Sequence, residues 1–265
     1  IDRTWLSDTL FDCSETGLNS ETFYAEDVNG NVDSIVVQIT VLDTTLPTVL
    51  AQTFTAYLGT NGAATIDTGD VNLGSFDNCE IDSIWLSDTL FSCADTGQNT
   101  VQLIARDPSG NEDSVSVTIT ILDTINPTIQ TQDITVYLDS FGATTIDTGD
   151  INTGTFDNCS IDLMWLSDTS FACADTGLNN LIFYARDASG NIDSAAFVVT
   201  VIDSIKPVIL TQNLTLYLDA AGQATTNADS VDMGTNDACL VDSIWLNDTA
   251  FTCFDTGANN ITFFA

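Results

Sequence analysis

The sequence predicts an all-β chain of tandem β-sandwich domains. Three observations carry that prediction: an uninterrupted period of 80 residues, alternation of apolar and polar side chains, and turn signals between the alternating runs. Trp5, Trp85, Trp165 and Trp245 are spaced 80 residues apart, as are Phe11, Phe91, Phe171 and Phe251, the prolines at 47, 127 and 207, and Tyr57, Tyr137 and Tyr217. A copy of that length lies within the usual size range of a domain. Within a copy, the Tyr-containing run passes through Thr60-Asn-Gly62 or Asp139-Ser-Phe-Gly142 into Ala-Ala-Thr-Ile or Ala-Thr-Thr-Ile, which reads as a hairpin. The Trp run follows, then a strand with Val101, Leu103 and Ala105, then the turn Asp107-Pro-Ser-Gly-Asn111. Val115, Val117, Ile119 and Ile121 close the copy with a period of two, one face toward a core and the other toward water. No stretch has a sustained helical period, and about seven short strands per copy indicate a sandwich.

The prolines after each last strand mark the boundaries. They divide the chain into a partial domain at 1–46, full domains at 47–126 and 127–206, and a partial domain at 207–265. The stretch starts and stops inside a copy and lacks an initiator Met, so it reads as an internal window of a longer chain, where a missing targeting segment says nothing.

Composition excludes several function classes. Against 38 Asp and Glu stand 4 Lys and Arg and no His, a formal charge of −34. Binding to nucleic acid or anionic lipid rests on Lys and Arg, so neither partner is expected, and no run suits membrane insertion. Histidine bases and histidine metal ligands are absent. With 44% hydrophobic residues, the chain is nonetheless too apolar for an acidic disordered tail.

Seven cysteines, at 13, 79, 93, 159, 173, 239 and 253, alternate between separations of 66 and 14. Two registers are open: pairs 66 apart leave Cys253 alone, and pairs 14 apart leave Cys13 alone. The shorter register is preferred, Cys79 with Cys93, Cys159 with Cys173 and Cys239 with Cys253, because both members then belong to one domain. A closed loop of that size stabilises by roughly 3 kcal/mol in the chain-entropy model. Without His or a C-x-x-C pair, zinc is not expected. Paired cysteines imply an oxidising compartment, hence secretion.

The run Asp157-Asn-Cys-Ser-Ile161, Trp-Leu-Ser167, Phe-Ala-Cys173, Asp-Thr-Gly-Leu-Asn179, Tyr-Ala-Arg-Asp-Ala-Ser-Gly-Asn191 and Asp203-x-x-x-Pro207 resembles the hyalin-repeat (HYR) domain, in the form found in tandem in large secreted surface proteins of Bacteroidota. The resemblance covers the whole chain. It implies an immunoglobulin-like sandwich, a role in adhesion or as a spacer, and no catalytic activity. The last copy departs from the pattern: Ala238 replaces the Asn of Asp-Asn-Cys, and Asn227-Ala-Asp-Ser230 replaces Asp-Thr-Gly-Asp, which predicts weaker ligand binding there.

Two kinds of carboxylate motif need sorting. Asp-Thr-Gly at 67, 95, 147, 175 and 255 is the triplet of aspartic-protease loops, but it recurs twice per copy and once becomes Glu15-Thr-Gly17, so it reads as turn chemistry. Asp27-Val-Asn-Gly-Asn-Val-Asp33 and its copies from Asp107 and Asp187 place oxygen-bearing side chains at every second position, a donor set suited to Ca²⁺. In an immunoglobulin-like sandwich the B–C and F–G loops lie at the end where the chain comes in. Asp43 is therefore expected to meet Asp77, Asn78, Asp107 and Asn111, and Asp123 to meet Asp157, Asn158, Asp187 and Asn191, with Asp203 and Asp237 in the last copy. Carboxylates gathered without Lys or Arg call for a cation between them, and Ca²⁺ at the junctions is the expected cofactor.

A third motif, Asp followed by Ser or Thr and an aliphatic residue, resembles the O-glycosylation sequon of Bacteroidota and marks Thr9, Ser34, Ser83, Thr89, Ser114, Thr124, Ser194, Ser204 and Ser243. The competing reading is an Asx turn at a strand end. N-x-S/T triplets at Asn158, Asn213, Asn247 and Asn260 matter only in a host with N-glycosylation. The tryptophans, with Phe91, Phe171 and Phe251, are expected in the core instead of on a sugar-binding surface. The resulting expectation is a non-catalytic extracellular array, the stalk or fibre of an adhesin or appendage, with neighbouring repeats, identical chains and a surface or matrix target as partners. The rival expectations are a loop-mediated glycan- or protein-binding array and the spacer of a secreted enzyme.

Overall fold

The computed structural model describes residues 1–265, the full chain, and shows a nearly all-β protein of tandem β-sandwich repeats. Two compact units divide it, Ile1–Ile125 and Asn126–Ala265. In the first, β1 (Arg3–Leu6), β2 (Gly17–Glu26) and β3 (Val32–Val41) form an antiparallel sheet. There follow β4 (Phe54–Tyr57), β5 (Ala63–Thr65), the one-turn helix α1 (Thr68–Val71), β6 (Ser83–Leu86), β7 (Leu90–Ser92), β8 (Gly97–Arg106) and β9 (Glu112–Leu122). One layer has the order β4-β9-β8-β6, with β4 parallel to β9, and β5 pairs with β7 outside it. Six strands and a bridging segment through Thr48 and Ala51 thus make the sandwich.

The second unit repeats the plan. Its strands are β10 (Ile134–Tyr137), β11 (Ala143–Thr145), β12 (Ile161–Leu166), β13 (Ser170–Ala172), β14 (Gly177–Asp187) and β15 (Ile192–Ile202), with helix α2 (Thr148–Ile151) between β11 and β12. The order β10-β15-β14-β12 and the pair β11-β13 match the first unit. Four short strands follow: β16 (Gln223–Thr225), β17 (Trp245–Leu246), β18 (Ala250–Thr252) and β19 (Phe263–Phe264).

Alternation places the core. Val101, Leu103 and Ala105 of β8 and Val117, Ile119 and Ile121 of β9 are buried, and Phe183, Ala185, Phe197, Val199 and Val201 do the same in the second unit. Phe91, Phe171 and Phe251 are buried as expected. The tryptophans are not. Leu86 points inward opposite Leu103, so strand parity sends Trp85 outward opposite Ile104. Trp165 likewise stacks on Tyr184 with centroids 5.0 Å apart, and Trp245 is 48% exposed against Phe264. Trp5 stacks on Tyr24 at 5.2 Å, with the Arg3 guanidinium 4.9 Å from its centroid. Each ring is engaged by its own sheet's side chains, in cross-strand pairs typically worth about 0.2–1 kcal/mol.

The turn at 59–63 closes as expected, with Gly59 N donating to Ala63 O, but the flanking strands do not form a hairpin. Strand β4 pairs with β9 and β5 with β7, so this turn takes the chain from one layer to the other.

The cysteine register also differs from the expectation. Disulfides join Cys13 to Cys79 in the first unit and Cys173 to Cys239 in the second, at a sequence separation of 66, and Cys253 is a free, exposed thiol. The preferred pairs Cys79–Cys93, Cys159–Cys173 and Cys239–Cys253 are therefore not formed. Strand direction explains why. Asp82 N donates to Arg106 O, which puts Cys79 near the C-terminal end of β8, whereas Cys93 lies just before Gly97 at its N-terminal end. Ten strand residues separate those ends by about 30 Å, far beyond the Cα reach of a disulfide. The cysteine before β8 corresponds in the period to Cys13 before β2, and Cys13 lies beside the chain's exit from β3, where Cys79 comes within a Cα distance of 5.2 Å.

Candidate functional site

Three segments of the first unit converge where β3 ends. Asp43 follows β3, Asp77 lies between the Thr48–Phe76 bridge and β6, and Asp107 heads the β8–β9 turn. Their carboxylate oxygens lie within 4.8 Å of one another. The turn that aims Asp107 is built by its own sequence. Asp107 N donates to Asn111 O and Gly110 N to Asp107 O, with Gly110 at φ +91°, a left-handed conformation that glycine adopts without steric cost.

Asp107 is 1% exposed, and its carboxylate accepts from Asn111 N at 2.8 Å and Asn111 Nδ2 at 2.7 Å. The same Nδ2 also reaches Asp43 O at 3.1 Å, tying the turn to the segment after β3. Asn78 Nδ2 donates to Asp43 Oδ1 at 3.3 Å, and Asp77 Oδ2 accepts from Cys79 N at 2.8 Å. Asp43 and the four residues expected around it are thus brought together.

The electrostatics of this group are unbalanced. Asp43 Oδ2 and Asp77 Oδ1 are buried without a hydrogen-bond partner. The two cations of the first unit are engaged elsewhere, Arg3 with Glu26 and Arg106 with Glu112. Like unit charges this close repel by about 3 kcal/mol at an effective dielectric constant near 20. Buried oxygens of that kind are matched by a hard cation taking oxygen ligands, and the donor set fits Ca²⁺.

In the second unit, Asp187 is 1% exposed and accepts from Asn191 N and Nδ2 at 2.8 and 2.7 Å, reproducing the Asp107 turn. Asp157 Oδ2 accepts from Cys159 N, and Asp157 Oδ1 is buried without a partner. Asp123, at the end of the first unit, is 7% exposed. Asp203, Asp237 and the Cys239 sulfur form another close group, but that sulfur belongs to the disulfide with Cys173 and the group reduces to two carboxylates. Asp237 Oδ2 is buried there without a partner.

The Asp-Thr-Gly triplets are structural. Asp67 caps α1 by accepting from Gly69 N, and its own N–H donates to Asp70; Asp147 and Asp150 do the same for α2. Asp95 accepts from Ser92 N and Oγ, closing a turn of 3-10 helix. Among the sequon hydroxyls, Thr9, Ser34, Thr89, Ser114, Thr124, Ser194, Ser204 and Ser243 are exposed, and Ser83 is half-buried in β6. The preceding aspartates form Asx turns in several copies, Asp8 with Leu10 N, Asp88 with Leu90 N and Asp203 with Ile205 N.

Hydrogen bonding also sets an acid limit. For Asp107, burial acts to raise the carboxyl pKa, but the bonds from the Asn111 side chain and backbone outweigh it, and the pKa falls below its ordinary value of 3.8. Asp27 is lowered chiefly by the Asn31 side chain, and Asp95 chiefly by the Ser92 backbone. A depressed folded pKa contributes stability that is complete above the unfolded value and lost as pH falls through the folded one. The melting temperature of the chelated chain is expected to hold from neutral pH down to about 4 and to drop progressively below it, as calorimetry across that range would record.

No family model and no curated protein matches this chain. Solved structures with similar folds include extracellular cadherin domains 1–5 of protocadherin gamma B2, at 15% identity and a TM-score of 0.33, covering 74% of this chain and 48% of that one. Protocadherin gammaB7 EC3-6 has 15% identity and a TM-score of 0.33, covering 94% and 80%. An endo-fucoidan hydrolase of glycoside hydrolase family 107 has 14% identity and a TM-score of 0.21, covering 77% and 39%. This chain spans about half the length of the first of these.

Proposed function

We propose that the chain is a segment of an extracellular, non-catalytic array of hyalin-repeat-like β-sandwich domains, the stalk or fibre of a surface adhesin or appendage. The observation that carries this reading is the double fastening at one place. Where β3 leads into the next sandwich, the Cys13–Cys79 disulfide and the Asp43, Asp77 and Asp107 carboxylates both tie the partial sandwich to the loop before β6. Fasteners repeated every 80 residues set the reach and stiffness of a series.

Ca²⁺ is the proposed cofactor, held by Asp43, Asp77 and Asp107 with Asn78 and Asn111 orienting them. It supplies the positive charge that the chain lacks there. The period assigns the same role to Asp157, Asn158, Asp187 and Asn191 of the second unit, and to Asp203 and Asp237. The domain limits are 1–46, 47–126, 127–206 and 207–265, and the exposed sequon hydroxyls carry O-glycans in the native host.

Electron microscopy of chains with increasing copy number tests the array. Particle length is expected to grow linearly with copy number, and compact globules that swell in all directions would refute it. Intact mass of the natively secreted chain reads the glycans, and a mass equal to the bare polypeptide removes them.

A further inference from the structure

The disulfide connectivity assigns this chain a second function, which stands on the bridges and depends on neither calcium nor adhesion. We propose that the cysteines form a covalent bypass that carries tension along the array and keeps the sandwiches from being pulled out.

Tension applied along the chain follows the shortest covalent path. In the first unit that path leaves the backbone at Cys13 and rejoins it at Cys79, bypassing β2, β3, β4, β5 and α1. In the second it leaves at Cys173 and rejoins at Cys239, bypassing β14, β15 and β16. Cys93 and Cys159 are also disulfide-bonded.

Each bridge takes 66 residues out of the loaded path, a stretch that would extend to about 230 Å if its sandwich strands were pulled out.

The close approach of Cys173 to the β10–β11 turn shows how tightly this arrangement is built. A Cβ on Gly142, at φ +73°, would lie 2.5 Å from Cys173 Sγ. The corresponding Gly222 would place one 2.6 Å from Cys253 Sγ, so the free thiol occupies the site of a bridging one.

Single-molecule force spectroscopy of the 265-residue chain, held by its two ends, tests the proposal. Without reductant, the total contour released on full extension is expected to fall short of that of the reduced chain by about 230 Å for each closed bridge. A thiol reductant should add about 230 Å for each bridge opened, and C13S/C79S should restore one such increment without reductant. These lengths should not change when calcium is chelated, so failure of the calcium reading leaves them standing. A total contour that reductant leaves unchanged would overturn the bypass. So would a non-reducing peptide map that links Cys79 to Cys93.

Discussion

Replacing both Cys13 and Cys79 with serine is expected to destabilise the first unit by about 4 kcal/mol, the chain-entropy value for a closed loop of 66 residues. For a unit of this size that corresponds to a fall in melting temperature of about 15 °C. Urea titration of the unreduced double variant against wild type would measure it. A companion thiol count separates the two cysteine registers. Wild type carries one free thiol, Cys253, and C13S should carry two as Cys79 loses its partner. In the shorter register, Cys13 would be the free thiol and C13S would have none. The stability loss has a structural reason beyond loop entropy. The bridge holds the segment before β2, which lies beside the chain's exit from β3 toward Asp43, against the loop before β6 that supplies Asp77.

Asp77→Asn is expected to change sign with calcium. In chelator the substitution removes one of three clustered negative charges, so the variant should be more stable than wild type by about 1 kcal/mol after solvent screening. Asn Oδ1 can still accept from Cys79 N, as Asp77 Oδ2 does, so the loop keeps its shape. In millimolar Ca²⁺ the order should reverse, because wild type gains the energy of cation binding and the variant has lost a ligand oxygen. Melting curves of both proteins in both buffers would show the crossing. A uniformly less stable variant would mean that Asp77 is only a turn residue.

Much of the fold was legible because it depends on local alternation. The inward residues Val117, Ile119 and Ile121 follow directly from a period of two. The Asp43 group was legible for a different reason: the period identified equivalent acidic turns, and strand direction brought two of them to the end where the chain arrives. The tryptophans were misplaced because Ile84, Trp85 and Leu86 are consecutive apolar residues, and parity is undecided until the cross-strand partners Ala105, Ile104 and Leu103 are known. The turn at 59–63 has the same local hydrogen bonds whether it joins paired strands or crosses between layers, and only the long-range pairing of β4 with β9 decides.

The cysteine register could have been reached from the sequence. The strand direction that brought Asp107 near Asp43 also puts Cys93 at the far end of the sandwich from Cys79. Closeness in sequence is a poor guide to cysteine pairing in a sandwich, because a single strand spans the whole domain.

The clustered carboxylates after β3 are proposed to take up a cation that fastens one repeat to the next. Calorimetric titration of Ca²⁺ into the chelator-stripped chain, with the melting temperature read on the same samples, tests it most directly. Saturable uptake is expected, with a dissociation constant of roughly 10⁻⁴–10⁻³ M, as in extracellular calcium modules, and a rise in melting temperature of about 5 °C at saturation. No saturable heat, with identical melting curves in Ca²⁺ and in chelator, would contradict it.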